Sequence, residues 1–191
     1  TDSTLRRATR TVLDEVFNCL TAWLAPFLCF TAEEAWLQRN PEDTSVHLRL
    51  FPDVPQNWHD DALAAKWVKV RELRRVITGA LEIERAQKRS RSSLQAAPKI
   101  YASVDYVTAM IGVDLAEMAI TSGGDLIEGD VPDGAFTVEG IVGVGVVSDM
   151  ADGEKCERCW KICDDLGANP AHSSVCGRCA DAVNHMTVAA E

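Results

Sequence analysis

Apolar side chains recur at helical spacing through the first part of the chain. Residues 3–28 place leucine, valine and aromatic side chains every three or four positions, with charged side chains between them, which predicts an amphipathic helix. Pro26 is expected to end or kink this helix, because proline removes a backbone donor and clashes with the preceding turn. Thr31 and Glu34 have the spacing of a capping box, which predicts a second helix that starts at Thr31 and stops before Pro41.

The pattern changes twice in the rest of the chain. Residues 44–51 alternate between apolar and polar positions, which predicts a short extended segment. A third helix is expected from about Asp60, with an apolar stripe that includes Trp67, Val70 and Ile77. Beyond residue 96 we predict strands at 99–103, at 117–121 and within 136–147, a short helix at 104–113 and a loop at 125–135.

Two Cys-x-x-Cys pairs lie close together near the end of the sequence. They are Cys156 with Cys159, and Cys176 with Cys179, and sixteen residues separate them. This spacing is typical of a four-thiolate zinc site. Four sulfur ligands leave no position for an activated water, so we expect one structural zinc ion. Two disulfides and a redox-active pair are the alternatives.

Other residues of this segment bear on the metal site. Cys163 and His172 are alternative ligands, since either type can complete a tetrahedral site. A zinc ion with four thiolates has a net charge of −2, and nearby donors are expected to offset it. Trp160 follows the second cysteine, and either packs within the small module or stacks on unpaired bases. The basic residues placed to offset the charge are Lys155, Arg158, Lys161 and Arg178.

Charge is distributed unevenly along the 191 residues, whose formal net charge is −10. Residues 66–91 contain nine basic and three acidic side chains, a local charge of +6, whereas residues 104–154 contain eleven acidic side chains and no Lys, Arg or His. This asymmetry indicates either a surface that meets a polyanion or a solvated helix face. The basic positions are Lys66, Lys69, Arg71, Arg74, Arg75, Arg85, Lys88, Arg89 and Arg91.

Composition limits the classes of protein to which the chain can belong. No apolar run is long enough to span a bilayer. The odd number of cysteines, seven, favours a reducing cytoplasm. The sequence has no initiator methionine, so we expect a piece of a longer protein.

Several segments together resemble one family of enzymes. Residues 26–36 (PFLCFTAEEAW) and the segment Ser45-Val-His-Leu with Phe51-Pro52 are similar to the anticodon-binding domain of class I aminoacyl-tRNA synthetases for isoleucine, valine and leucine. Lys88 through Ala96 and the C-terminal Lys-Cys-x-Arg-Cys-Trp and Cys-Gly-Arg-Cys resemble the isoleucyl members of bacterial type. The chain departs from the family pattern at Cys29, Ser90 and Arg91, and Cys163 is an addition.

The resemblance implies an α+β fold made of three parts. They are a helical-bundle anticodon-binding domain (1–96), a small α/β junction subdomain (97–150) and a zinc-ribbon-like module (151–191). The implied function is recognition of the anticodon stem-loop of isoleucine tRNA. The implied partners are this tRNA and the catalytic and editing domains of a parent synthetase. A zinc-stabilised protein-interaction module on a helical scaffold is the alternative.

The resemblance also implies where RNA is contacted and where chemistry occurs. Neither class I signature motif for ATP is found in the 191 residues, so ATP is expected only in a separate catalytic domain and this chain alone should not activate isoleucine. No catalytic residue is assigned. The implied RNA contacts are Arg74, Arg75, Arg85, Lys88, Arg89, Arg91, Arg158, Trp160, Lys161 and Arg178.

Overall fold

A computed structural model of the chain describes the backbone of residues 3–188 and the side chains of residues 3–185. The chain divides into two compact units, one ending at His59 and one beginning at Asp60. In the described residues the helices are α1 (Thr4–Leu24), α2 (Cys29–Arg39), α3 (Asp61–Ala86), α4 (Val104–Ala109), α5 (Leu115–Ala119) and α6 (Gly177–Val188), and the strands are β1 (Lys99–Ala102), β2 (Asp125–Glu128), β3 (Val144–Val147), β4 (Glu154–Lys155) and β5 (Ile162–Cys163).

The mixture of helices and small sheets with a four-cysteine cluster confirms the expected α+β class at that level. The finer division at residues 96 and 150 stays a prediction. None of the helices in the described part of the chain is both long enough and apolar enough to span a membrane.

Trp36 organises the first unit. Its side chain is only 7% exposed, and its ring stacks on Phe17 with 6.2 Å between centroids. The indole Nε1 donates to Asp43 Oδ2 over 2.8 Å, and the Arg49 guanidinium lies 3.7 Å from the ring centroid. One aromatic side chain therefore joins α1, α2 and the segment that follows them.

The predicted capping box at Thr31 is wrong. Helix α2 begins at Cys29, so Thr31 already lies inside the helix. The neighbouring carboxylate of Glu33 has a different use: its Oε2 accepts from Ser45 Oγ over 3.0 Å and from the Val46 amide over 2.8 Å. This residue therefore caps the turn after α2 and fixes the return of the chain.

The strand predicted at 44–51 is also wrong, because Val46–Leu48 forms a 3-10 turn. Ser45 Oγ accepts from the His47 amide and starts this turn. Of the alternating apolar residues, Val46 is buried but Leu48 is 75% and Leu50 is 89% exposed. The alternation therefore does not correspond to one buried face.

Helix α3 confirms the predicted start at Asp60, whose side chain accepts from the Leu63 amide over 2.8 Å. With 26 residues it is about 39 Å long. Its buried residues lie from Val70 onward and form one core with the three-stranded sheet. The α3 members of this core are Val70, Leu73, Val76, Ile77 and Ala80.

The sheet has the strand order β2-β1-β3. β1 pairs in parallel with β2, with Ile100 opposite Leu126, and antiparallel with β3, with Ile100 opposite Val146. The parallel pair requires a crossover, which α4 and α5 supply. The predictions of a strand from Lys99 and of a short helix from Val104 are confirmed.

Two predictions in this region are wrong. Residues 117–119 of the expected strand belong to α5, and Ile120 ends that helix in a left-handed conformation. The helix starts where the Asp114 side chain accepts from the Glu117 amide over 2.8 Å. The expected loop at 125–135 begins with strand β2, whose polar residue Asp125 sits at the sheet edge beside β1. An edge strand tolerates polar side chains, so alternation was a weak signal there.

Candidate metal centre and nucleic-acid interface

Each cysteine pair sits on its own short structure. The first pair occupies the turn between β4 and β5, which is closed by the Trp160 amide donating to the Cys156 carbonyl over 2.9 Å. The second pair flanks the start of α6, where the Ala180 amide donates to the Cys176 carbonyl over 2.9 Å. The antiparallel pairing of β4 with β5 closes the first turn, and the Glu157 amide in that turn donates to the Ser174 carbonyl, two residues before Cys176, over 3.1 Å.

The sulfur atoms of Cys156, Cys159, Cys176 and Cys179 all lie within 4.8 Å of one another. The Cys159 and Cys176 sulfurs are 3.9 Å apart. Zinc–sulfur bonds of about 2.3 Å in a tetrahedron give sulfur–sulfur edges of about 3.8 Å. The donor set and its spacing therefore fit a zinc ion, and the fit was predicted from the sequence.

Backbone and side-chain donors point at these sulfurs. The Cys176 amide donates to Cys156 Sγ over 3.4 Å, and Arg158 Nη1 donates to Cys179 Sγ over 3.6 Å. Burial opposes ionisation of Cys156, but backbone hydrogen bonds from Cys159, Cys176 and Arg158 outweigh it and lower the pKa of this thiol to about 6. Burial raises the pKa of Cys176, so metal binding must displace its proton.

The alternative ligands lie differently. Cys163 Sγ is within 4.8 Å of Cys176 Sγ and of an Asp165 oxygen, outside the four-sulfur group. The imidazole Nε2 of His172 bonds with Asn184 Oδ1 over 2.8 Å. Of the basic residues expected to offset the charge, Arg158 touches the cluster, whereas Arg178 lies 3.9 Å from Glu117.

Trp160 is exposed. Its side chain is 61% accessible and its backbone is left-handed, with φ 65°. The ammonium of Lys155 lies 5.5 Å from the ring centroid. Between the two sequence alternatives for this residue, exposure favours an available aromatic face over a packed one.

The basic side chains of α3 and the following segment fall into two groups. Arg89 makes two hydrogen bonds with Glu84, at 2.6 and 2.7 Å, which raise the pKa of Arg89 and lower that of Glu84. Within residues 3–185, by contrast, the side chains of Arg75, Lys88 and Arg91 have no hydrogen-bond or ion-pair partner. The structure therefore leaves these three available to a ligand.

A cavity of about 190 Å³ brings three of the predicted arginines together. It lies between α3, the segment after α3 and the end of α5. Arg74 enters it with Nε bonded to the Met118 carbonyl over 2.9 Å, and Arg85 with Nη1 3.1 Å from Glu82 Oε1. The lining residues are Arg74, Thr78, Leu81, Glu82, Arg85, Ser90, Arg91, Ser92, Ser93, Ala119 and Ile120.

The sequence did not identify the serine hydroxyls of Ser92 and Ser93, or Ile120, as lining residues of this cavity. Ser92 and Gln95 form a capping box around a 3-10 turn, and its Ser-x-x-Gln spacing was readable in the sequence. Ile120 at the rim is 53% exposed and left-handed, with φ 58°. A left-handed non-glycine residue costs about 1–2 kcal/mol, and no sequence signal marks that conformation.

Ser122, which the sequence analysis did not single out, joins the zinc module to the rest of its unit. Its hydroxyl donates to the Leu94 carbonyl over 2.5 Å and accepts from the Ile162 amide over 2.7 Å. Ile162 belongs to β5, beside the first cysteine turn.

Comparison with known proteins decides the family. Residues 1–101 match the family described as "Anticodon-binding domain of tRNA ligase", more than half of the 191 residues. The chain belongs to this anticodon-binding family. Residues 153–182 match a second family, described as "Zinc finger found in FPG and IleRS". With the four-cysteine cluster, this match shows that the module is a structural zinc site.

Curated relatives of this anticodon-binding chain are isoleucine–tRNA ligases. The relatives from Brucella abortus (strain 9-941) and Agrobacterium fabrum are 48% and 45% identical over 182 residues, 95% of this chain. The relative from Ruegeria pomeroyi is 48% identical over 180 residues, 93% of this chain. The chain spans 19%, 19% and 18% of these three relatives.

Proposed function

We propose that the chain is the tRNA-recognition part of an isoleucine–tRNA ligase, which attaches isoleucine to its tRNA with ATP in a catalytic domain outside this chain. The family match and the isoleucine–tRNA ligase relatives support this proposal. The observation that carries it is a set of exposed cations on α3 and just after it (Arg75, Lys88 and Arg91) whose side chains have no partner within residues 3–185, in a chain whose net charge is −10. Such cations gain free energy by releasing counterions from a polyanion.

The basic residues of α3 and its following segment would position the RNA. Phosphate contacts fix register and orientation and do not read sequence. Arg75, Lys88 and Arg91 are available for such contacts, and Arg74 and Arg85 keep guanidinium nitrogens beyond their internal bonds. Arg89, bound twice to Glu84, is the weakest of the predicted contacts.

The zinc module would read the anticodon loop. Cys156, Cys159, Cys176 and Cys179 would hold the ion, which supplies folding free energy to a segment with a small core. Trp160 would stack on an unpaired base, while Arg158, Lys161 and Arg178 contact the loop. In this proposal residues 1–96, 97–150 and 151–191 are the helical, junction and zinc parts.

An apolar surface in the first unit supports contact with the parent synthetase. Val12 is 61%, Val16 45% and Trp23 41% exposed on α1. A cavity of about 220 Å³ beside them is lined by Val16, Cys19, Leu20, Trp23, Val54 and Trp58, with Glu15 at its edge. We propose that the catalytic or editing domain of the parent covers this face, since exposed apolar patches mark protein contacts.

The test is binding of a fluorescent anticodon stem-loop of isoleucine tRNA to the zinc-loaded chain across a salt series. Replacing Arg74, Arg75 and Lys88 by Ala should lower affinity and flatten the salt slope by about 2–3, because each phosphate contact contributes about 0.7–0.9. The matched control replaces Arg6, Arg7 and Arg10 of α1, the same change in charge outside the proposed surface.

Equal changes in the two triple variants would mean that only net charge matters. If the chain binds a stem-loop with an altered anticodon as tightly as the isoleucine stem-loop, the proposal that the zinc module reads the bases is wrong. Zinc-loaded chain that binds no stem-loop would favour the protein-interaction alternative, which the apolar cavity of the first unit also suits.

A further inference from the structure

The cavity at the end of α3 has the chemistry of an anion site. Three arginines and one glutamate line it, a net charge of +2. Its volume of about 190 Å³ is below the 300–1,000 Å³ of sites for drug-sized ligands. The space therefore suits a single small charged group.

Several donors in the cavity have no internal use. The Arg91 guanidinium has no hydrogen-bond or ion-pair partner within residues 3–185, and neither has the Ser93 hydroxyl. Ser92 Oγ accepts from the Leu94 amide over 3.3 Å, which leaves its O–H free to donate. Guanidinium and hydroxyl groups that line one cavity offer the kinds of donor that bind the oxygens of a phosphate.

The frame that holds these donors is fixed. The Ser90 hydroxyl, in an 8% exposed residue, donates to the Ser92 carbonyl over 2.8 Å. Gln95 Oε1 accepts from the amides of Arg91 and Ser92, at 2.8 and 3.3 Å. The backbone that carries these donors is therefore held in place before any ligand arrives, which lowers part of the entropic cost of binding.

We infer that this cavity binds one phosphodiester of the RNA backbone, through Arg91, Arg74 and Arg85 with the hydroxyls of Ser92 and Ser93. This inference rests on the proposed function and makes it more specific. It assigns one bound phosphate to a defined place, where the basic surface alone would contact phosphates diffusely. Arg89, tied to Glu84, lies outside the lining and takes no part.

The first arm of the test uses inorganic phosphate and the zinc-loaded chain labelled with ¹⁵N. Titration should shift the side-chain Nε–H signals of Arg91, Arg74 and Arg85 and leave that of Arg89 in place. An unmoved Arg91 signal would overturn the inference whether or not the chain binds RNA.

The second arm uses anticodon stem-loops in which one phosphate at a time is a neutral methylphosphonate. One position should cost the unmodified chain on the order of tenfold in affinity, and the same position should cost Arg91→Gln clearly less, because only Arg74 and Arg85 then remain as cations in the cavity. Ser93→Ala should show a partial loss of this coupling. The matched control is Arg6→Gln, an exposed α1 residue outside the cavity and outside the proposed RNA surface, which should keep the full cost at that position.

The two failures are distinguishable. If the stem-loop binds but Arg91→Gln and Arg6→Gln respond alike at every position, the phosphate pocket is wrong and the proposed function stands. If phosphate shifts the Arg91 signal but no stem-loop binds, the RNA assignment is overturned and the site takes free phosphate. Zinc content and circular dichroism, measured on each variant, exclude loss of fold as the cause.

Discussion

Replacing Trp160 separates a packing role from an RNA-stacking role, because the two roles predict different combinations of stability and RNA affinity. Trp160→Gly and Trp160→Ala both remove the indole ring. They differ in the backbone, since Trp160 is left-handed with φ 65° and only glycine adopts that region freely. The pair therefore measures the ring and the strain of the turn in one experiment.

The structure sets the expected stability changes. With Trp160 61% exposed, about 100 Å² of its surface is covered, which is worth about 2.5 kcal/mol. The Lys155 ammonium 5.5 Å from the ring centroid adds about 0.5–1 kcal/mol. Glycine recovers about 1–2 kcal/mol of backbone strain, so Trp160→Gly should destabilise the module by about 1–2 kcal/mol, and Trp160→Ala by about 1–2 kcal/mol more.

The affinity for the anticodon stem-loop should change by a different pattern. Loss of one stacked base costs about 1–3 kcal/mol, or about 5- to 150-fold in Kd. Trp160→Gly and Trp160→Ala should lose the same factor despite their unequal stabilities, and Trp160→Phe should keep part of it because phenylalanine retains an aromatic face. Fluorescence anisotropy gives the affinities, and urea denaturation of the zinc-loaded chain gives the stabilities.

A packed tryptophan would give another result. Removing a buried tryptophan costs about 3–5 kcal/mol, and RNA affinity would then fall only as far as the module unfolds. Unchanged RNA binding by both variants, with a stability loss of 3–5 kcal/mol in each, would refute the stacking role.

Three further predictions concern the second unit. Ile77→Ala should cost about 2–5 kcal/mol of unfolding free energy in urea, because Ile77 is 0% exposed against the sheet. Ile83→Ala on the same helix, at a 40% exposed position, should cost about 0.5 kcal/mol or less. Equal losses would contradict the packing of α3 on the sheet. Cys176→Ser should abolish zinc binding and the protection of backbone amides from exchange within residues 153–182. Cys163→Ser should keep one zinc per chain by metal analysis. Zinc loss in both variants would make Cys163 a ligand. Burial and the 2.9 Å hydrogen bond to Glu72 raise the pKa of Tyr106 to about 12, so the stability that this tyrosine contributes is complete below pH 10 and is lost as pH rises toward 12. Tyr106→Phe should therefore be less stable than the unmodified chain by about 1 kcal/mol at pH 8, and the difference should close by pH 12. A difference that stays constant with pH would refute the linkage.

Cap signals show why only part of the fold could be predicted. Thr31-x-x-Glu34, Asp114-x-x-Glu117 and Ser92-x-x-Gln95 share the same spacing. The first lies within a helix that starts two residues earlier, while Asp114 and Ser92 do cap helical turns. A cap pattern is local, whereas the carboxylates near it also bond to distant parts of the chain. Glu33, beside the pattern's Glu34, accepts from the Val46 amide.

The candidate site was also predictable only in part. The four-cysteine cluster could be predicted because it depends on two short spacings that each fix a local turn. The cavity could not, because Arg74, Arg91 and Ile120 come from three elements whose approach depends on α3 packing on the sheet. The helical pattern of α3 predicted a helix and a basic face, but not the surface that its apolar stripe covers.

Ser122 connects the zinc module to the segment that carries the proposed phosphate cavity, so we expect zinc binding and RNA binding to be coupled. One hydroxyl connects the Ile162 amide of the zinc module to the Leu94 carbonyl, next to the segment that carries Arg91 and Ser93. Whatever factor zinc contributes to the binding of RNA at the cavity, bound RNA must contribute the same factor to the retention of zinc. Under the proposed function, a chain bound to tRNA would then resist a chelator better than a free chain, provided that zinc favours RNA binding.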